Sequence, residues 1–345
     1  MVPRFIIKTH TDALRPGNYS ILIAKCTYPD KSAYPEAVIK KLQEWIKEKS
    51  VAKFTVLLST LKNRGFGFLR DNMIWSWKGH VINTVLCYID KKESNDLDIF
   101  YELSLIEKIC YLKYFLETEG AIILKLAEKF QKMGKVSYSY FKDNIQDIFK
   151  EIFEEYMDIA PDFRSRIKIK ETYNLVKIKE RYDQSTLSHK IKPHIQALED
   201  LGIIKKQNDS EIYTSVGNSI PIIINNLLNI QNMENIFDKD EYFSLIAQIY
   251  NLPYILYSYE THNEVLKETF SYGYQIMRDK TTGLADIDAL IDWCRIKMLS
   301  VNNILVRKRD VKDILNKIRL HYPSKIRYHL NGKGKISYLV LSEPL

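Results

Sequence analysis

The sequence predicts a mainly α fold with small β-hairpins, an α+β chain of several domains. Three observations carry this. Apolar residues recur at three- and four-residue spacing through most of the chain, the period of a helix with one buried face. Two turn-rich breaks, one after Gly202 and one at Asn331-Gly332-Lys333-Gly334, each follow a helical stretch and are flanked by extended runs, the pattern of a hairpin. With 345 residues, of which 46% are hydrophobic, the chain can fill two or three cores.

Charge is unevenly placed. Residues 295–335 hold twelve Lys or Arg and two Asp, a local charge of +10 against +8 for the whole chain, so the remainder comes to −2. Such a concentration suits a polyanion, most directly a nucleic acid. Coulomb attraction alone does not name the anion.

Other classes find little support. Cys26, Cys87, Cys110 and Cys294 are widely spaced without a CxxC pair, so neither a zinc knuckle nor a disulfide framework is indicated and a reducing compartment is expected. The first residues lack a long apolar segment, and runs such as "IPIIINNLLNI" are too short to span a bilayer. A soluble cytoplasmic protein with no membrane contact is expected. There is no Walker loop, HExxH, GxSxG or glycine-rich kinase loop, and the seven histidines show no local ligand spacing. No cofactor and no metal are expected.

The elements follow in chain order. Residues 1–95 are expected to form an α+β domain. In "AYPEAVIKKLQEWIKEKS", Val38, Leu42 and Ile46 share a stripe, with Trp45 on the neighbouring face, and Pro35 suits a first helical turn. "KNRGFGFLRDNMIWSWKGHVINTVLCYIDKK" alternates around Phe68, Ile74, Trp75 and Trp77. Gly65 and Gly67 do not make a phosphate-binding fingerprint, because Arg70 takes its last glycine position. Asp71, Asp90 and Lys92 loosely resemble the Asp…Asp-x-Lys arrangement of metal-dependent nucleases, in which two carboxylates hold Mg²⁺ and the lysine positions water or phosphate. The competing reading is a charged turn after a buried strand, with Arg64 and Arg70 facing phosphate or water.

Residues 96–160 form a helical block. "LSLIEKICYLKYFLETEGAIILKLAEKFQKMG" predicts a hairpin or kinked helix broken near Gly120, and "YFKDNIQDIFKEIFEEYMDIA" one amphipathic helix. Residues 161–220 form a module of net charge +5 over 162–206. "ETYNLVKIKERY" is helical, and Leu187, Ile191, Ile195 and Leu198 form one apolar arc of the next helix. Pro193 falls inside that predicted helix and moves its expected start near the proline, with residues 188–192 as a turn and His189 and His194 on the surface or capping. Gly202 ends the helix, and "KKQNDSEIYTSV" is a hairpin with a polar turn. Residues 221–283 form a helical connector.

Residues 284–345 carry the charge. A helix over 308–320 places Val311, Ile314, Leu315 and Ile318 on one stripe. Lys308, Arg309, Lys312, Asn316 and Arg319 share a different arc of about 100°. Such a helix can dock on a core and present Arg and Asn side chains to base edges in a major groove. Pro323 ends it, and "KIRYHLNGKGKISYLVL" is a hairpin whose turn residues tolerate positive φ, with Lys333 and Lys335 at its tip.

The order of "LADIDALIDWCRIKML", "KRDVKDILNKIRL" and "RYHLNGKGKISYLVL" resembles the winged-helix branch of the helix-turn-helix superfamily over 284–341, and "ALEDLGIIKK" resembles the passage from recognition helix to wing in the middle module. The resemblance implies winged-helix modules joined by helical blocks, a recognition helix in the major groove, and a wing on backbone or minor groove. The residues expected to meet DNA are Arg307, Lys308, Arg309, Lys312, Asn316, Arg319, Arg327, Lys333 and Lys335, with Lys190, Lys192, Lys205 and Lys206 in the middle module.

A non-enzymatic, duplex-DNA-binding subunit of a DNA-maintenance, replication, transcription or genome-defence assembly follows, with a protein partner or self-association through the helical blocks. A scaffold whose winged helices bind proteins is the alternative, and the nuclease a second one. RNA duplexes fit less well, because their major groove is deep and narrow.

Overall fold

The computed structural model describes residues 32–48, 55–56, 58–59, 61–62, 74–77, 80–83, 103, 105–158, 160, 162–179, 184–208, 210–227, 240–279 and 281–345. The chain is mostly helical with small sheets.

In the N-terminal part, β1 (Ser32–Ala33), β2 (Ile74–Trp77) and β3 (His80–Asn83) form an antiparallel sheet of order β1-β3-β2. Helix α1 (Pro35–Glu48) begins on its proline and buries Val38, Leu42 and Trp45.

Helix α2 (Leu105–Met133) runs unbroken through Gly120 for 29 residues, where a break was expected. One glycine costs a helix about 1 kcal/mol, and the flanking turns bury Leu116, Ile123 and Leu126, which outweighs it. Strand β4 (Lys135–Ser137) follows, then α3 (Tyr138–Asp143) and α4 (Ile145–Asp158), so the single helix expected here is two. The break falls at Asn144, whose Nδ2 donates to the Tyr140 carbonyl at 2.9 Å. Helix α5 (Phe163–Lys179) precedes α6 (Gln184–Asp200).

Helix α6 continues through Pro193 instead of starting there. The proline removes one backbone hydrogen bond, at about 3 kcal/mol. Burial of Ile191, Ile195, Ala197 and Leu198 on the same helix holds the segment against that cost. The helix stops as expected at Gly202, which has φ +71°, while Gly202 N donates to Glu199 O and Ile203 N to Leu198 O, both at 2.9 Å, the paired bonds of a Schellman end. Strands β5 (Ile204–Lys206) and β6 (Ile212–Ser215) form the hairpin. The sheet takes its third strand from β4, ahead of residue 161, in the order β4-β6-β5.

Helices α7 (Ser219–Leu227) and α8 (Glu241–Ile249) lead to β7 (Ile255–Leu256), α9 (Tyr259–Met277), β8 (Ala285–Asp286), α10 (Ile287–Asn302), β9 (Ile304–Leu305), α11 (Lys308–His321), β10 (Ile326–Leu330) and β11 (Ile336–Leu341). The last sheet has the order β10-β11-β8, and β7 pairs with β9 in parallel. The two halves thus share one connectivity: a helix, a short strand, further helices, then a hairpin whose second strand pairs with that short strand. The first half inserts α4 and α5 before its last helix.

Two large clusters make the core. One spans α1 to α4 and α6 to α8, and the other joins α9, α10, α11 and the C-terminal hairpin, while Ile169 of α5 packs apart with Phe153 and Ala160. Helix α10 is the shared wall: Ile296 and Leu299 face the first cluster, whereas Leu290, Trp293 and Met298 face the second. Among the described residues, no helix is long and apolar enough to cross a membrane.

Candidate nucleic-acid interface

Helix α11 divides its faces by periodicity. Val311, Ile314 and Leu315 are buried and Ile318 packs beside them. Arg309, Lys312, Asn316 and Arg319 are exposed, together with Asp313 and Lys317. Lys308 lies at the margin of the arc, about 20° from Leu315 in helical phase. It is half-buried, and its Nζ sits 3.1 Å from Asp288 Oδ1. Arg307 forms a bidentate pair with Asp310, both contacts at 2.8 Å, and this hydrogen bonding raises its pKa further. Both basic side chains are therefore already ion-paired within the protein. Asp310 also accepts from Arg307 N at 3.2 Å, so the pair fixes the first turn of α11.

Two aromatic rings hold basic side chains in place. The Arg319 guanidinium lies 4.8 Å from the Tyr328 ring centre, and Lys317 Nζ 4.3 Å from that of Tyr259, within cation–π range. Tyr328 is half-buried; burial raises its phenol pKa and Arg319 opposes that rise. Lys317 stands outside the arc read from sequence, and Tyr259 is 58 positions earlier in the chain, so nothing local in the sequence pairs them.

Arg295, the first basic residue of the +10 segment, is not on the surface. Its side chain is fully buried, with Nε donating to Val306 O at 3.0 Å and Nη2 to Asp240 Oδ1 at 2.8 Å. Sequence periodicity could have found this, because Ile291, Met298 and Leu299, at i−4, i+3 and i+4 from Arg295, are apolar and buried.

The C-terminal hairpin pairs Ile326 with Leu341 and Tyr328 with Leu339. Its turn differs in mechanism from expectation. Only Gly334 adopts positive φ, at +74°. Asn331 acts through its side chain: Oδ1 accepts from Lys333 N at 2.9 Å and Lys335 N at 3.1 Å, and Nδ2 donates to Ser337 Oγ at 2.8 Å. Arg327, Lys333 and Lys335 are exposed.

The middle module presents a different surface. From Ile191 to Asp200 no residue of α6 is fully exposed. Over these ten residues the outward positions are Lys192, Gln196, Glu199 and Asp200, formally −1, against +3 for Arg309, Lys312, Asn316 and Arg319. Lys192 sits 3.8 Å from Glu211 and 5.4 Å from the Tyr138 ring centre. Lys205 and Lys206 are exposed on β5. His194, expected at the surface or capping, is buried, because α6 continues through Pro193 and carries this position inside the helix beside the buried Ile195. The side chains of Lys190 and His189 lie outside the described residues, as do Arg64, Arg70, Asp71, Asp90 and Lys92.

A polar cluster elsewhere is structural. Lys125, buried on α2, bonds Glu128 at 2.7 Å and also Glu155, while Lys129 bonds Glu151 at 2.7 Å. Among the described residues, no group of three or more His, Cys, Asp or Glu is placed to hold a metal ion. No protein-family model matches the chain, and no curated protein or solved structure is significantly similar to it.

Proposed function

We propose that this chain is a non-enzymatic DNA-binding protein with two winged-helix modules, and that the C-terminal one grips duplex DNA. Helix α11 is its recognition helix and β10–β11 its wing. The observation that carries the reading is the division of α11: Val311, Ile314 and Leu315 anchor it, while Arg309, Lys312, Asn316 and Arg319 leave it together on the open side. Arg and Asn are the side chains that pair bidentately with guanine and adenine edges. Arg327, Lys333 and Lys335 extend the same positive charge along the wing, where phosphate contacts set position and affinity.

The middle module serves the assembly instead. Over residues 191–200 the outward face of α6 is mixed in charge and half-covered, which suits a protein neighbour better than a polyanion. The chain then acts as a subunit of a complex that works on DNA.

The test is the salt dependence of binding. For duplex DNA, the slope of log affinity against log salt should fall by about 0.9 for each phosphate that the protein no longer neutralises. Arg309→Ala, Lys312→Ala and Arg319→Ala combined should therefore flatten it by up to about 2.7. An unchanged slope in a folded triple variant moves the DNA surface elsewhere.

A further inference from the structure

The tip of the C-terminal hairpin carries an apolar pair that the fold does not use. Leu330 is 63% exposed and Ile336 47%. They are cross-strand partners only because the register shifts between His329 and Leu330. Without the shift, Leu330 would face Ser337; the extra residue in β11 brings Ile336 opposite instead, and paired residues share a face. The bulge therefore places two large aliphatic side chains side by side.

That face has a direction. Along β10 the same side carries Ile326, buried in the core, then Tyr328, half-buried beneath Arg319, then Leu330. The pair continues the core-facing side of the hairpin beyond the end of the core, on the side where α11 ends. It is bracketed by the exposed Lys333 and Lys335. Lysine is depleted at the centre of protein-binding patches, whereas aliphatic residues beside basic ones are the chemistry of side chains that enter a minor groove and part a base step.

We propose that Leu330 and Ile336 form a wedge that enters the minor groove next to the site held by α11 and partly unstacks one base step. The proposal rests on the DNA-binding reading above. Unstacking from the minor groove bends DNA toward the major groove, which closes the duplex around α11. Lys333 and Lys335 flank the entry and neutralise the phosphates that the bend draws together.

The experiment uses the full chain and a duplex with donor and acceptor dyes at its ends and 2-aminopurine at successive positions. The expected result is a bend of at least about 20° with brightening at one step. Leu330→Ser with Ile336→Ser, both at exposed positions, should keep the thermal midpoint and the salt slope but lose bend and brightening. Lys333→Ala with Lys335→Ala should flatten the slope by about 0.9 per residue while the bound duplex stays bent. Duplex that binds with the expected slope but stays straight, or a bend that survives the serine variant, overturns the wedge and leaves the DNA-binding reading standing. Failure of the full chain to bind duplex DNA removes both.

Discussion

Asp240 holds Arg295 and, with a second hydrogen bond at the same carboxylate oxygen, ties three helices together. Asp240 Oδ1 accepts from Arg295 Nη2 at 2.8 Å and from the Lys308 backbone N at 2.9 Å. Asp240 opens α8, Arg295 lies on α10, and Lys308 is the first residue of α11. A carboxylate at a helix N-terminus satisfies an otherwise orphaned N–H and meets the positive end of the helix dipole. The guanidinium lies 3.9 Å from the Phe243 ring centre, which closes the remaining side of its site. A residue 68 positions away thus sets where the basic helix starts.

Asp240→Ala should destabilise the chain by about 2–4 kcal/mol, because it leaves a buried guanidinium without its closest carboxylate. Asp240→Asn keeps an acceptor and should cost about half as much. Urea unfolding of both variants checks this; an unchanged midpoint for the alanine variant would show that Asp292, 3.7 Å from Arg295 Nη1, suffices alone.

Gly273→Ala should reverse the usual sign. In an isolated helix the change stabilises by about 1 kcal/mol. Here a Cβ at residue 273 would collide with Trp293 Cε3 and Cζ3 and come within 2.9 Å of Leu290 Cδ1. Helices α9 and α10 must separate or Trp293 must move, so a net loss of about 1–3 kcal/mol is expected. A thermal midpoint at or above that of the parent chain would contradict this packing.

Lys125 should show asymmetric partners. Burial opposes its charge, but the hydrogen bonds it donates to Glu128 and Glu155 win, and its pKa is raised above the ordinary lysine value. The stabilisation is therefore complete below about pH 10.4 and is lost as pH rises through the higher folded value. Lys125→Met should cost less at neutral pH than removal of the glutamates and should flatten the alkaline loss, because the largely exposed Glu155 rehydrates and only Glu128 stays covered without its partner. Glu128→Ala with Glu155→Ala strands a buried ammonium and should cost about 3–5 kcal/mol. Chemical unfolding across about pH 7–11 separates the two; equal effects would contradict the assignment.

Lys205→Ala with Lys206→Ala should leave the salt slope for duplex DNA unchanged, since over residues 191–200 the middle helix presents a mixed rather than a basic face. A drop of about 0.9 per residue would give the middle module a DNA surface of its own.

Much of the fold was legible in the sequence, for reasons that differ by element. Helix α11 and its hairpin could be read because periodicity, Pro323 and the Asn-Gly turn agree locally. Gly120 and Pro193 misled because their costs are local, whereas the burial of Leu116, Ile123, Ile195 and Leu198 that outweighs them is tertiary. The pairing of β4 with β6, of Lys317 with Tyr259 and of Asp240 with Lys308 joins residues too distant for any window to connect. Lys308 was recoverable in part, since its phase places it at the edge of the apolar stripe. The apolar pair Leu330–Ile336 was hidden by a register shift that strict alternation does not anticipate.

The most direct measurement is a titration of the folded, monodisperse chain with duplex DNA, single-stranded DNA and RNA at one physiological salt concentration. The account predicts that duplex DNA binds at least as tightly as the others, and that replacing Arg309, Lys312, Asn316 and Arg319 with alanine strongly weakens that binding while the fold persists. Absence of binding to all three, or a preference for single strands or RNA that survives the substitutions, would contradict it.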